Sequence, residues 1–81
     1  MPYDADFIPT LCQGLRRVRV ERLPACNGGN HCTADARFDA RVLGMGWGYF
    51  CPAHAEHFQI KVGMGCGQLL LLPDEEVPDW A

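Results

Sequence analysis

The sequence predicts a small α+β domain, an antiparallel β-hairpin or sheet carrying one short helix. Three observations lead there. Apolar and charged residues alternate from Ala36 to Val42, the glycine-spaced Gly44-Met45-Gly46 follows, and the segment Pro52 to Gln59 opens on a proline. At 81 residues the chain has room for one domain, in the size range where an apolar core alone is often insufficient and a covalent or metal staple is expected. Hydrophobic residues make up 48% and charged residues 21%, a globular rather than a disordered balance.

The first dozen residues, with Pro2 and Pro9, read as an irregular lead that packs through Tyr3, Phe7 and Ile8. From Leu15 to Leu23 the parity changes: Leu15, Arg17, Arg19 and Glu21 fall on one side and Val18 and Val20 on the other, a half-buried strand ended by Pro24. Asn27-Gly28-Gly29-Asn30 follows as a tight turn, its residue types tolerant of positive φ. Ala36, Phe38, Ala40 and Val42 alternate with Arg37, Asp39 and Arg41 in a second strand. Gly44 to Gly46 turns the chain, and Gly46 to Phe50 returns with bare glycines on one face and Trp47 and Tyr49 on the other. The helix over Pro52–Gln59 ends near Lys61 and Gly63, and Gln68–Leu72 is a buried strand bounded by Pro73. Residues 1–73 form one domain, and 74–81 an acidic tail. Gly-Met-Gly-X-Gly occurs at 44–48 and again at 63–67, too short a match to establish a duplication.

The longest apolar run, Leu69 to Pro73, falls far short of the roughly 20 residues of a membrane-spanning helix. The N-terminus lacks a basic, apolar export pattern, so a cytoplasmic protein is expected. Five cysteines in such a chain shift the expectation from disulfides towards metal or redox chemistry. Cys26 and Cys32 flank the first turn with five residues between them, and Cys51-Pro52-Ala53-His54 is a compact C-x2-H pair at the helix start, where the N-terminus favours thiolate. The eighteen intervening residues fit a hairpin. Two such pairs form the ligand set of one structural Zn²⁺: Cys26, Cys32, Cys51 and His54. His31 is the rival to Cys32, since Cys26-x4-His31 has the more usual spacing. His57 is read as a helix-surface residue; Cys12 and Cys66 are read as buried thiols, with pairing to each other as the minority alternative.

At these residues the chain resembles the small treble-clef-like or zinc-ribbon-like zinc-finger proteins of bacteria and their phages. The resemblance rests on Cys26, Cys32, Ala36 and Tyr49-Phe50-Cys51-Pro52-Ala53-His54-Ala55, over positions 24 to 60. It implies a Cys knuckle, a hairpin and a C-x2-H helix around one zinc. A small bacterial or phage adaptor, or an inhibitor of a host machine such as an anti-CRISPR protein, would have the same format, by analogy and without a diagnostic motif.

Four good ligands leave no open coordination position, and no complete nucleophile, base and oxyanion set is visible, so enzymatic activity is not expected. The glycine run is followed by a strand and a ligand rather than a helix, unlike a nucleotide-binding loop. Net charge is −3 and the pI about 5.4, yet positions 16 to 41 carry six arginines. Arg17 and Arg19 on one strand, Arg37 and Arg41 on the next, with Trp47 for stacking, make nucleic-acid binding the second reading. The first is protein recognition, in which exposed strands carrying Trp47 meet the partner and the acidic tail Asp74 to Trp80 supplies Val77 and Trp80 as apolar anchors.

Overall fold

The computed structural model describes residues 7–14, 17–29 and 32–81. Among them the chain runs β1 (Thr10–Leu11), β2 (Arg17–Arg19), β3 (Phe38–Val42), β4 (Gly46–Phe50), α1 (Pro52–His57), β5 (Lys61–Val62) and β6 (Gly67–Leu71). A four-stranded sheet has the order β2-β6-β3-β4, and β1 and β5 form a short separate pair. Among the described residues no helix is long and apolar enough to cross a membrane.

The hairpin follows directly from local chemistry. Phe38 pairs with Phe50 and Val42 with Gly46, and the Met45 N–H donates to the Val42 carbonyl at 3.0 Å across a turn in which Gly44 takes φ 86°. Phe38 and Ala40 are buried, whereas Arg41 is exposed. Gly48 and Gly46 lie opposite Ala40 and Val42, so on that face β4 contributes only Phe50; Trp47 and Tyr49 stand on the other, as the alternation predicts. The repeated Gly-Met-Gly-X-Gly motif serves the two turns in different registers. Gly46 pairs with Val42 after the first turn, whereas the Gly63–Gly67 bridge frames the second.

The sheet is mixed rather than antiparallel. β6 is antiparallel to β3 but parallel to β2, and β1 is parallel to β5. A parallel neighbour needs a long crossover, supplied here by everything between β2 and β6, and no local pattern announces it. The expected strand over 15–23 is Arg17–Arg19 at the sheet edge; Tyr3 and Leu15 lie outside the described residues. On the core face Phe38, Phe50, Leu69, Leu71, Ile60 and Val62 pack with Ala55 of α1.

α1 is shorter than Pro52–Gln59 because its C-terminus closes by backbone bonding. Gln59 N–H donates to Glu56 O at 3.1 Å and Ile60 N–H to Ala55 O at 3.0 Å, a Schellman arrangement that places Gln59 at φ 52° where glycine is usual.

Residues 74–81 are not a free tail. Glu75 is 4% exposed and accepts two bonds from the Arg37 guanidinium, one of them 2.6 Å from Nη2, as well as one from the Leu72 N–H at 2.7 Å. The Arg37 partner holds the Glu75 carboxyl below its ordinary range. Trp80 stacks on Phe38, ring centroids 6.4 Å apart at 26°, and packs against the core with Ala81. Acidic composition suggested solvation, but one carboxylate has an arginine fork to neutralise it and the segment's tryptophan has an aromatic to cover.

Candidate metal centre

The four cysteine and histidine side chains singled out by spacing converge. One ligand atom from each of Cys26, Cys32, Cys51 and His54 lies within 4.8 Å of every other. Cys26 and Cys51 are buried, while Cys32 and His54 are half-buried. The residues form a cluster able to hold a metal ion, at the end of the sheet where β4 passes into α1.

Each ligand is positioned by a distinct local device. The knuckle is closed by the Ala25–Asp35 bridge and by the Cys26 N–H to Ala34 O bond of 3.1 Å, which returns the chain to β3. It is tied to the hairpin edge by Asn27, whose N–H donates to Tyr49 O at 2.6 Å while its Oδ1 accepts the Tyr49 N–H at 2.9 Å. Cys51 is the N-cap of α1 in extended conformation, with Pro52 starting the helix and no side-chain capping bond engaging the thiol. One turn later His54 turns Nδ1 toward the sulfurs, 3.3 Å from both Cys26 Sγ and Cys51 Sγ. Cys32 Sγ is 4.0 Å from Cys51 Sγ.

Gly28 is the functional residue that sequence reasoning assigned the wrong role. Positive φ occurs at Gly14, Gly44, Gly46, Gly63 and Gly65 and at neither glycine of the knuckle. Gly28 is needed for space instead: a Cβ there would lie 2.5 Å from His54 Cγ and 2.6 Å from His54 Cβ. The knuckle backbone lies directly against the imidazole. The visible signal was a glycine between two ligands, but its steric reason depends on a helix 26 residues downstream.

The electrostatics favour anionic sulfur at one position. Burial pushes the Cys26 thiol up, but the Cys51 N–H at 3.3 Å and the Gly28 N–H at 3.2 Å, with the neighbouring sulfurs, bring it down to about 7. Burial, together with the sulfurs of Cys26 and Cys32, holds Cys51 above its ordinary value. A negative charge on Cys26 thus disfavours one on Cys51, and a cation between the two sulfurs would relieve that opposition.

The remaining sequence candidates fall elsewhere. His31 lies outside the described residues. His57 is exposed, outside the cluster, and rests edge-on against Phe58 at 5.0 Å. The four arginines do not form one patch. β6 separates β2 from β3, and the register puts Arg17 and Arg19 on the Leu69, Leu71 and Phe38 side, with Arg37 and Arg41 on the reverse. Arg37 is held by Glu75, and Arg19 donates to Leu72 O at 2.7 Å and to Glu75 O. Trp47 is 58% exposed, whereas Trp80 is spent on the core.

Comparison with protein-family models, with curated proteins and with solved structures gives no match. The treble-clef resemblance therefore rests on this chain's own residues.

Proposed function

We propose that the chain is a non-enzymatic, zinc-stapled module that recognises another protein. The convergence of Cys26, Cys32, Cys51 and His54 carries the metal half of this reading. Zinc bonds of about 2.3 Å to sulfur and 2.0–2.1 Å to nitrogen, arranged tetrahedrally, require S···S near ~3.8 Å and S···N near ~3.6 Å. The observed S···S of 4.0 Å is slightly longer and the two S···N of 3.3 Å slightly shorter than these values, and all four ligand atoms lie within 4.8 Å of one another, close enough for an ion to draw them into the tetrahedron. Three thiolates and one imidazole suit a borderline-soft, closed-shell ion, and a closed set of four supports a structural rather than a catalytic site. The two N–H groups aimed at Cys26 Sγ would spread the residual negative charge of such a centre.

The recognition half draws on what the staple displays. Leu43 is 97% exposed at the hairpin tip, and Met45, Trp47 and Tyr49 follow it along the same β-hairpin, all exposed. A run of large apolar side chains kept out of the core is characteristic of contact surfaces. A small adaptor, or an inhibitor of a host machine such as an anti-CRISPR protein, would have this format of a stapled core displaying exposed strands. Cytoplasmic residence, with reduced thiols free to take metal, belongs to the same reading.

Native mass spectrometry before and after chelation tests the metal. One zinc per chain is expected, with Cys51→Ser and His54→Ala lowering occupancy and His57→Ala leaving it unchanged. A folded metal-free chain would refute it. Arg41 opposite Trp47 favours a second reading as a nucleic-acid contact. Affinity for single- or double-stranded DNA or RNA that falls steeply with salt, with a slope reduced by about one on Arg41→Ala, would replace the protein reading with that one.

A further inference from the structure

Two cysteines lie outside the metal cluster, and the fold brings them together from opposite ends of the chain. β1 pairs with β5 so that Leu11 faces Val62, and the ladder continues: Cys12 N–H donates to Val62 O at 2.7 Å and Met64 N–H to Gln13 O at 3.1 Å. Cys12 thus lies over Gly63. A Cβ at Gly63 would fall 2.5 Å from Cys12 Cβ and 2.8 Å from Cys12 O, an approach that only glycine permits. Gly63 opens the turn containing Cys66, whose N–H returns to Gly63 O at 3.0 Å. Both thiols are half-exposed and free. Hydrogen bonding with the Cys66 side chain holds the Cys12 thiol above its ordinary value, joined by burial.

We infer that Cys12 and Cys66 form a reversible disulfide site that reacts with low-molecular-weight disulfides, separately from the metal-binding thiols. One thiolate attacks the small disulfide and releases one molecule of small thiol. The second cysteine then displaces the other half, so that two Cys S–H bonds become one S–S bond and both protons and both electrons leave on two molecules of small thiol. The product ties the N-terminal strand to the β5–β6 turn and closes a loop spanning most of the chain. The three ligand sulfurs and the ligand nitrogen lie in a different cluster, and thiolates bound to an ion are withheld from exchange.

The test is incubation of the metal-loaded full chain with oxidised glutathione, followed by intact mass and peptide mapping. The expected product has lost two hydrogen atoms, retains its metal, carries a Cys12–Cys66 cross-linked peptide and reverts with dithiothreitol. Cys12→Ser and Cys66→Ser should each abolish that loss and instead hold one glutathione on the remaining thiol. Mapping of the unsubstituted chain stands by itself should either variant fold poorly. A stable glutathione adduct on the unsubstituted chain, a cross-link involving Cys26, Cys32 or Cys51, or no reaction at all would each overturn the inference. Because metal content is read in the same experiment, failure of the dithiol is distinguishable from failure of the metal centre.

Discussion

Gly28→Ala isolates the geometry of the metal centre in one methyl group. The new Cβ would lie 2.5 Å from His54 Cγ and 2.6 Å from His54 Cβ, where no carbon pair can remain. Neither neighbour is the free end of a flexible chain, since His54 is fixed on α1 and its Nδ1 is committed to the sulfurs. Either the knuckle moves outward, carrying Cys26, or the imidazole swings away. Overpacking of this kind costs about 1–3 kcal/mol. Disturbing the groups that orient a ligand weakens metal binding by about 10- to 100-fold, which is the same energy. Gly28 does not have positive φ, so alanine adds no backbone strain to confuse the result. Gly29→Ala is the internal control: its Cβ would meet His54 Nε2 at 3.2 Å, which a shift of a few tenths of an ångström relieves, for a change of about threefold or less. Competition titrations of both variants against a zinc chelator, at constant pH, measure the difference. Equal affinities for Gly28→Ala and the unsubstituted chain would refute the packing of His54 under the knuckle.

Further outcomes follow from the rest of the fold. Gln59→Gly relieves a left-handed residue at the helix C-terminus, φ 52°, and should raise stability by about 0.5–1 kcal/mol in urea unfolding of the metal-loaded protein. Glu75→Gln removes the charge from a pair whose side chains are 11% and 3% exposed, and should cost about 3 kcal/mol in the same assay. Because Arg37 lowers the folded carboxyl, that contribution is complete above the ordinary carboxylate value and fades as pH falls through the folded one; the acid limb of the stability profile should flatten in Glu75→Gln. Chelation should shift Trp80 emission to the red in a Trp47→Phe background, since Trp80 stacks on Phe38 and Trp47 is already exposed; unchanged emission would separate the metal from the C-terminal packing.

What could be read from the sequence was what depends on near neighbours. The hairpin over β3 and β4 was visible because alternation at 36–42, a glycine turn and bare glycines at 46 and 48 all describe contacts within fifteen residues. Pro52 marked the helix start, and ligand chemistry paired Cys51 with His54 at helical spacing. The insertion of β6 between β2 and β3 had no such marker. Leu69 to Leu72 reads as a buried strand whichever neighbours it takes, and the placement decides that Arg17 and Arg37 occupy opposite faces. Arg37 was read as a candidate phosphate contact and Glu75 as part of an acidic tail, 38 residues away; only the folded register makes them a pair. Gly28 was noticed for the right neighbourhood and the wrong reason, because its obstacle is His54 rather than its own dihedral angles.

The Cys3His cluster and the C-terminal segment are two closures on one pair of strands. Phe50 precedes Cys51 directly, pairs with Phe38, and accepts the Arg37 N–H at 2.9 Å. Phe38 in turn lies under Trp80, and Arg37 holds Glu75. A ligand pulled out of place therefore acts on the β3–β4 ladder at its Phe50 end, where the C-terminal segment is also anchored. The individual pieces have little stability of their own: α1 has six residues against the roughly 12–15 at which an isolated helix begins to persist, and β1 and β5 have two each. Binding free energies of order 10 kcal/mol for structural zinc in small peptides match the entire stability of a domain of this size. Metal loss should accordingly release helix, ladder and C-terminal segment together, leaving the apolar hairpin without the frame that presents it.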